Sequence, residues 1–407
     1  MKCGLLGEKL GHSYSPQIHS YLGDYEYKLF EKAPEELEDF LLHGDFQGLN
    51  VTIPYKKSVI PYCDVLTDTA KELGAVNTIV RLPDGKLLGH NSDCFGFRSM
   101  LQRSGLKLEG KKVLVLGSGG ASATAVAVLR KAGANVIVIS RNGENNYNNL
   151  HLHRDAAAIV NATPVGMYPQ VGVSPIDLDM FPDLLGVLDI VYNPARTKLL
   201  LDAMDHGLIT ENGLWMLVAQ AKESAEFFLD TPISDDCIAK IHRKLRSQME
   251  NIVLIGMPGC GKSTIGQLLQ AQTHMAFVDA DAYLVEKAGK PIPQIFAEDG
   301  EETFRKLETE VLSELGKRSG LIIATGGGCV TRPENYRHLH QNGTIFWLQR
   351  DIQKLPKDGR PLSQAGDLTL MYQKREPLYR SFADHIMDNN ASPEATVSTI
   401  LSMEGRI

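Results

Sequence analysis

Disulfide-type cysteine spacing, long apolar runs and an excess of positive charge are all missing from this chain of 407 residues. The six cysteines, Cys3, Cys63, Cys94, Cys237, Cys260 and Cys329, are scattered and form no C-x-x-C pair. A chain of this size needs no covalent staples, so a reducing, cytoplasmic setting is expected. No stretch approaches the roughly 18 to 20 apolar residues of a membrane span, and the N-terminus shows no apolar export signal. Lysine and arginine total 42 against 49 aspartate and glutamate, a net charge of −7. That balance argues against a broad nucleic-acid-binding surface, leaves room for a local basic pocket that takes a small anion, and makes small molecules the expected partners. Hydrophobic residues at 43% and charged residues at 22% exclude a disordered or fibrous chain.

What is present is a repeated alternation. Length alone suggests two to three domains. Apolar, β-rich runs at 112–116, 135–140, 157–160, 187–192, 251–255, 320–325 and 344–348 alternate with helix-like segments. This predicts an α/β fold built on parallel sheets with crossover helices. Two of the runs lead into glycine-rich turns, at Gly117 and Gly256, and each such turn normally opens its own nucleotide-binding unit. A charged amphipathic helix is expected over 235–250 and a strand from Asn251, so a boundary is placed near residue 250.

The second turn, Gly256-Met-Pro-Gly259-Cys260-Gly261-Lys262-Ser263, fits G-x-x-x-x-G-K-[ST] at every fixed position. It follows a clean strand and runs into a helix through Thr264. Glycines allow successive N–H groups to turn inward around phosphate oxygens, and the helix N-terminus adds its positive end. Lys262 is then expected at the β/γ-phosphates of ATP and Ser263 on Mg²⁺. Cys260 reads as a small packing residue. Behind this loop come Asp279-Ala-Asp281, Phe304-Arg305 with Glu308, Thr325-Gly-Gly327-Gly328, Arg360-Pro-Leu and Arg375-Glu-Pro-Leu-Tyr379. In that order, over nearly all of 251–407, they resemble shikimate kinase. The resemblance implies that Asp281 grips and polarises the acceptor hydroxyl, that Arg305 and Arg375 pair with the substrate carboxylate, and that Gly327 and Gly328 give backbone contacts. It also implies that Arg360 reaches the transferring phosphoryl group from a lid, and that Asp279 lies near Mg²⁺. A simpler reading of Arg305 and Glu308 is a surface i,i+3 pair.

The first turn, Gly117-Ser-Gly119-Gly120-Ala121-Ser122, follows the strand at 113–116 and opens a helix expected over 123–131. Ser122 occupies the third glycine position of G-x-G-x-x-G, so the fingerprint is off its standard form. The next strand ends at Ser140-Arg141-Asn142 with no acid to hold a ribose 2′-hydroxyl, and Arg141 suits a 2′-phosphate, so NADP is favoured over NAD. Upstream lie His12-Ser13-Tyr-Ser15-Pro16, Asn50-Val-Thr52-Ile-Pro54-Tyr-Lys56, Gly74-Ala-Val-Asn77-Thr78 and Asn91-Ser-Asp93; downstream, Asn161-Ala-Thr163, Tyr192-Asn-Pro194 and Met216-Leu-Val-Ala-Gln220.

Together these segments resemble shikimate dehydrogenase across about 1–230. The resemblance implies reduction of 3-dehydroshikimate with NADPH. In that reading Ser13 and Ser15 bind the substrate carboxylate, and Asn50, Thr52, Asn77, Tyr192 and Gln220 complete the substrate site. Lys56 and Asp93 form the catalytic pair, and Gly117, Gly119, Gly120, Ala121, Arg141, Asn161, Thr163 and Met216 line the cofactor. Asn161 and Thr163 also fit a simple strand-ending turn. His12 and His19 lack an acid or cysteine to complete a metal set. Ser92 stands where the family usually has threonine. Between Ser140 and Ala157 there is room for one crossover only, and five of the intervening residues are asparagine, a poor helix former. This half is expected to lack a strand and a helix that relatives have.

The expected organisation is thus a substrate-binding segment at 1–96, a shortened Rossmann-like NADP segment with return helices at 97–250, and a P-loop kinase domain at 251–407. Three rivals remain open: a quinate dehydrogenase fused to another small-molecule kinase, a non-catalytic metabolite sensor, and a kinase whose trimmed N-terminal part is inactive. Self-association into a homo-oligomer is also left open.

Overall fold

The computed structural model describes residues 1–11, 13–355 and 368–406. The chain divides into two compact units. The first comprises Met1–Gly166, Gly172–Tyr192 and Lys198–His242; the second comprises Met167–Val171, Asn193–Thr197 and Arg243–Ile407. The division falls inside the helix Asp236–Met249.

The first unit holds two sheets. One is mixed and runs in the order β2-β1-β3-β5-β6-β4, from β1 (Lys2–Gly7), β2 (Glu26–Glu31), β3 (Gly48–Val51), β4 (Val65–Leu66), β5 (Thr78–Arg81) and β6 (Leu87–His90). Its β3 is buried at all four positions and pairs parallel to β1 but antiparallel to β5. The other sheet is wholly parallel, in the order β11-β10-β9-β7-β8, from β7 (Lys112–Leu116), β8 (Asn135–Ile139), β9 (Ala158–Asn161), β10 (Gly186–Asp189) and β11 (Ile209–Asn212). Val113 and Val115 pack into the core on one face of this sheet, Leu114 and Leu116 into the core on the other. A strand covered on both faces has no reason to alternate, which is why these segments read as continuous apolar runs.

From β7 the chain passes to β8 on one side, then returns to β9 on the other. Such a reversal opens a crevice at the carboxyl ends of the strands, where ligands bind in doubly wound sheets. Between β8 and β9 the chain forms one short 3₁₀ turn, Leu150–His153, and neither strand nor α-helix, as the spacing there predicts. The result is a Rossmann order without its far edge strand.

The second unit has its own parallel sheet, in the order β13-β14-β12-β15-β16, from β12 (Asn251–Ile255), β13 (Ala276–Asp279), β14 (Leu321–Ala324), β15 (Gly343–Gln349) and β16 (His385–Asp388). The central β12, Asn-Ile-Val-Leu-Ile, is buried throughout. Within this unit the short segment Asn193–Thr197 is held on the 340–343 turn. Ala195 N donates to Asn342 Oδ1 at 3.1 Å and Arg196 N to Gln341 O at 2.8 Å. Arg196 also pairs with the buried Glu250 at 3.6 Å. Arginines 196 and 246 hold the Glu250 carboxyl below its usual range against the opposing effect of burial.

Candidate active sites

In the first unit, polar residues from four elements meet at one place. After β3 the chain turns through Thr52 and Tyr55, and Tyr55 is buried, which aims Lys56 toward the start of the helix Asp93–Ser104. Asn91 caps that helix start by accepting from Asp93 N at 3.1 Å. An acid in the first turn is favoured by the helix dipole. Lys56 Nζ donates to Asp93 Oδ2 at 2.5 Å, with the lysine side chain 26% exposed and the aspartate 13%. Both groups are sheltered yet reachable.

Behind this pair lies a buried polar network. Asn77 accepts from Ser92 N at 2.7 Å and donates to Ser92 Oγ at 3.0 Å. Ser92 thus fills the usual threonine position and keeps its hydroxyl bonds. Ser224, on the helix Leu214–Leu229, receives Asn50 Nδ2 at 2.7 Å, lies 2.8 Å from Thr78 Oγ1 and 2.9 Å from Ser92 Oγ, and reaches Gln220 O at 3.0 Å. It ties together Asn50, Asn77 through Ser92, and Gln220. Nothing in the sequence marks it except its place four residues after Gln220. Asn50 is also held by Tyr27 OH at 2.7 Å. Ser15 N donates to Ser13 Oγ at 3.2 Å, and Tyr192 meets Tyr14 edge to face at 6.3 Å. His19 is fully enclosed, with burial pushing its imidazole down to about 3, and it stacks on Tyr27. It is a neutral core residue.

The glycine turn lies at the crevice between β7 and β9. Gly117 has φ +105°, and a Cβ there would come within 3.0 Å of Ala162 O. Only glycine combines that backbone with that contact. At Gly119 and Gly120 an added Cβ would meet nothing within 4 Å, so this part of the turn borders open space. Ser122 is buried, and its Oγ donates to Gly117 O at 2.7 Å. The non-glycine residue therefore fits by bracing the turn. The helix starts at Gly120, three residues earlier than the sequence pattern suggests.

Asn161 is fully buried. Its amide donates to Asp189 Oδ1 at 2.9 Å, and its Oδ1 accepts from Thr163 N and Oγ1 at 3.1 and 2.7 Å. Its side chain shapes the end of β9. Met216 is buried against the helix at Gly96, where a Cβ would come 2.7 Å from Met216 O. Arg141 is exposed just beyond β8.

In the second unit a cleft of about 940 Å³ gathers most of the expected residues: Gly259, Gly261, Lys262, Ser263, Thr264, Asp279, Asp281, Arg305, Gly327, Gly328 and Arg375. Gly261 takes φ +106° at the loop's last step. Lys262 is buried and donates to Gly256 O at 2.9 Å and Met257 O at 3.1 Å. Ser263 Oγ donates to Asp279 Oδ2 at 2.8 Å, and the other oxygen of Asp279 caps the helix Ala280–Ala288. Cys260 is buried, and its carbonyl accepts from Asn389 Nδ2 at 2.6 Å.

Arg305 and Glu308 are a buried pair, not a surface one, at 2.7 Å. Burial raises the Glu308 carboxyl despite the arginine beside it. Arg305 lies so close to Gly328 that no side chain fits there. Arg375 Nη1 and Tyr379 OH both donate to Gly327 O, at 3.0 and 2.5 Å. Phe304, from the Phe304-Arg305 segment, also lines the cleft with Phe296, as does Arg350, which had no motif to announce it. Arg360 lies outside the described residues. Among the described residues no cluster of three or more His, Cys, Asp or Glu could hold a metal by itself, and no helix is long and apolar enough to cross a membrane.

Comparisons with known proteins agree with this division. The shikimate dehydrogenase substrate-binding-domain model matches residues 5–79, an NAD(P)-binding model matches 105–178, and the shikimate kinase model matches 258–404. The NADP(+)-dependent shikimate dehydrogenase of Clostridium perfringens is 35% identical over 266 residues, covering 60% of this chain and 97% of that protein. The crystal structure of shikimate dehydrogenase 1 from Peptoclostridium difficile is 38% identical and superposes with a TM-score of 0.55, over 60% of this chain and 97% of that one. A chorismate mutase/shikimate 5-dehydrogenase fusion from Clostridium acetobutylicum is 34% identical with a TM-score of 0.57, over 60% and 96%.

Proposed function

We propose, for a chain that belongs to the shikimate dehydrogenase family and carries a shikimate kinase domain behind it, a residue-level division of labour between two active sites. The protein is a bifunctional shikimate-pathway enzyme: a shikimate dehydrogenase that uses NADP, joined to a shikimate kinase. By this reading its N-terminal part reduces 3-dehydroshikimate and its C-terminal part phosphorylates the shikimate formed. The observation that carries the first half is the 2.5 Å Lys56–Asp93 pair at the edge of a polar, hydroxyl-lined network. For the second it is the P-loop facing Asp281, Arg305 and Arg375 across one cleft.

Reducing a ketone adds hydride at carbon and a proton at oxygen. Bound NADPH supplies the hydride. Lys56, as an ammonium, stabilises the growing alkoxide and delivers the proton, while Asp93 orients it. Ser13, Ser15, Thr52, Asn77 and Gln220 bind the substrate, with Asn50 and Tyr192 supporting them. The cofactor's pyrophosphate fits the open side of Gly119 and Gly120, where N–H groups begin the helix Gly120–Lys131. Arg141 takes the 2′-phosphate, and Thr163 and Met216 border the site.

In the kinase, Asp281 positions the acceptor hydroxyl and the arginines 305 and 375 hold its carboxylate. Lys262 leaves its carbonyl partners for the β/γ-phosphates. The donor set of Ser263 Oγ and Asp279 is hard oxygen, suited to Mg²⁺ held jointly with phosphate oxygens. When bound, the ion neutralises phosphate charge. Arg360 completes the set by the resemblance alone. We further propose the segments 1–96, 97–250 and 251–407 as the functional divisions, and a reducing cytoplasm, in keeping with six free cysteines.

The test is spectrophotometric NADPH oxidation with 3-dehydroshikimate, repeated in the reverse direction with shikimate and quinate, beside ATP consumption with shikimate. Activity with quinate and not shikimate would replace the substrate assignment.

A further inference from the structure

We infer that Arg350 is a nucleotide-binding residue of the kinase site, its guanidinium pairing with the phosphate chain on the side of the P-loop away from the acceptor pocket. The inference rests on the nucleotide reading of that loop and adds a residue to it. Arg350 directly follows β15, the strand beside β12 on one flank; β14 lies on the other flank. The carboxyl end of β14 leads to Gly326–Gly328, where Arg305 and Arg375 gather. The two flanks of the loop thus carry separate arginine groups.

Their partners differ. Arg305 is fixed by Glu308 at 2.7 Å and Glu301 at 3.2 Å. Arg350 has no carboxylate in ion-pair reach among the described residues, and its Nε is buried with no hydrogen-bond partner. Its Nη1 lies 3.8 Å from where a Cβ would stand on Gly261, the last step of the phosphate loop before its helix. Lys354, in the same cleft, is exposed and already faces Asp351 at 3.5 Å.

A half-withdrawn guanidinium without a counter-ion, next to a loop whose N–H groups and helix terminus are already positive, raises the local potential further. Folding alone gives no reason to place it there, since like charges repel. An anion reverses the sign of that contribution. The planar fork suits two phosphate oxygens at once. Its position on the flank opposite the acceptor arginines selects the non-transferred phosphates, so the expected ligand is a nucleoside di- or triphosphate and not a nucleoside.

The test uses the full chain with Arg350→Ala and Arg350→Lys, titrated with ADP and with adenosine, alongside steady-state kinetics. Wild-type binding of ADP checks the nucleotide reading itself, independently of the variants. For Arg350→Ala, ADP affinity should fall about ten- to a hundredfold, the range of a charge-assisted bond. The KM for ATP should rise in parallel, while adenosine binding, the KM for shikimate and NADPH-dependent reduction stay unchanged. Lysine should restore part of the loss. Unchanged ADP affinity overturns the inference, and so does an equal loss for adenosine or shikimate, which marks a merely structural role.

Discussion

The glycine turn at Gly117 and the one at Gly256 both leave a buried parallel strand and both open a helix, yet they meet charge differently. From Gly117 to Leu129 the first has no charged side chain, and its bracing comes from a serine hydroxyl on a backbone carbonyl. The second carries Lys262 inside the motif and has Arg350 beside Gly261. On the proposed reading the contrast follows from the chemistry. A dinucleotide's pyrophosphate is only held, so backbone N–H groups and a helix terminus suffice. A phosphoryl group that is transferred must have its charge neutralised as it moves, and that needs cations.

The two lysines sharpen this. Lys56 sits on a carboxylate, whereas Lys262 sits on carbonyl oxygens. A lysine meant to give up a proton gains from an orienting acid; one meant for phosphate is better without a competing anion. The largest effects should come from exchanging these sites' losses. Lys56→Ala should lower dehydrogenase turnover by about 10²- to 10⁴-fold, the usual worth of general acid catalysis, and leave phosphorylation of added shikimate intact. Lys262→Ala should abolish phosphorylation and leave NADPH oxidation intact. Loss of both activities from either change in a folded chain would break the comparison.

Next in size is Arg141. If the first turn's charge is supplied from the end of β8, Arg141→Ala should weaken NADPH by about 1.5–3 kcal/mol and leave NADH nearly unchanged. Equal effects on both cofactors would remove Arg141 from the site. Gly117→Ala forces a Cβ into the left-handed region against Ala162 O, 3.0 Å away. A strain of order 1–3 kcal/mol should appear as weaker NADPH binding or a lower melting temperature of the dehydrogenase part, with phosphorylation unaffected. The smallest effect is expected at Ser122. Ser122→Ala removes one hydrogen bond, worth about 1 kcal/mol, and should raise the KM for NADPH several-fold. A variant indistinguishable from wild type would show that the serine merely fills space.

The local parts of this picture were legible in the sequence. The strand at Asn251–Ile255 is where the apolar run puts it, and the loop, helix and Asp279–Asp281 follow in register because each is set by residues a few positions apart. The short segment before β9 was legible too, since length alone forbids another strand and helix. What escaped is long-range. Ser224 and Asn50 are 174 positions apart, and Asn389 and Cys260 are 129 apart. Neither pairing leaves a trace in local pattern or spacing. Arg350 follows a strand with no motif around it, so only the fold brings it to the phosphate loop. The partners of Asn161 were only half legible: Thr163, two positions on, fits the strand-ending turn, whereas Asp189 is 28 positions away and reaches it through the fold.

The most direct measurement of the central claim is the product made by the purified chain from 3-dehydroshikimate when NADPH, ATP and Mg²⁺ are present together, followed by mass spectrometry. The account predicts shikimate 3-phosphate, with shikimate as the intermediate when ATP is left out. Oxidation of NADPH with shikimate accumulating in the presence of ATP, or no oxidation while added shikimate is phosphorylated, would contradict two working sites on one chain.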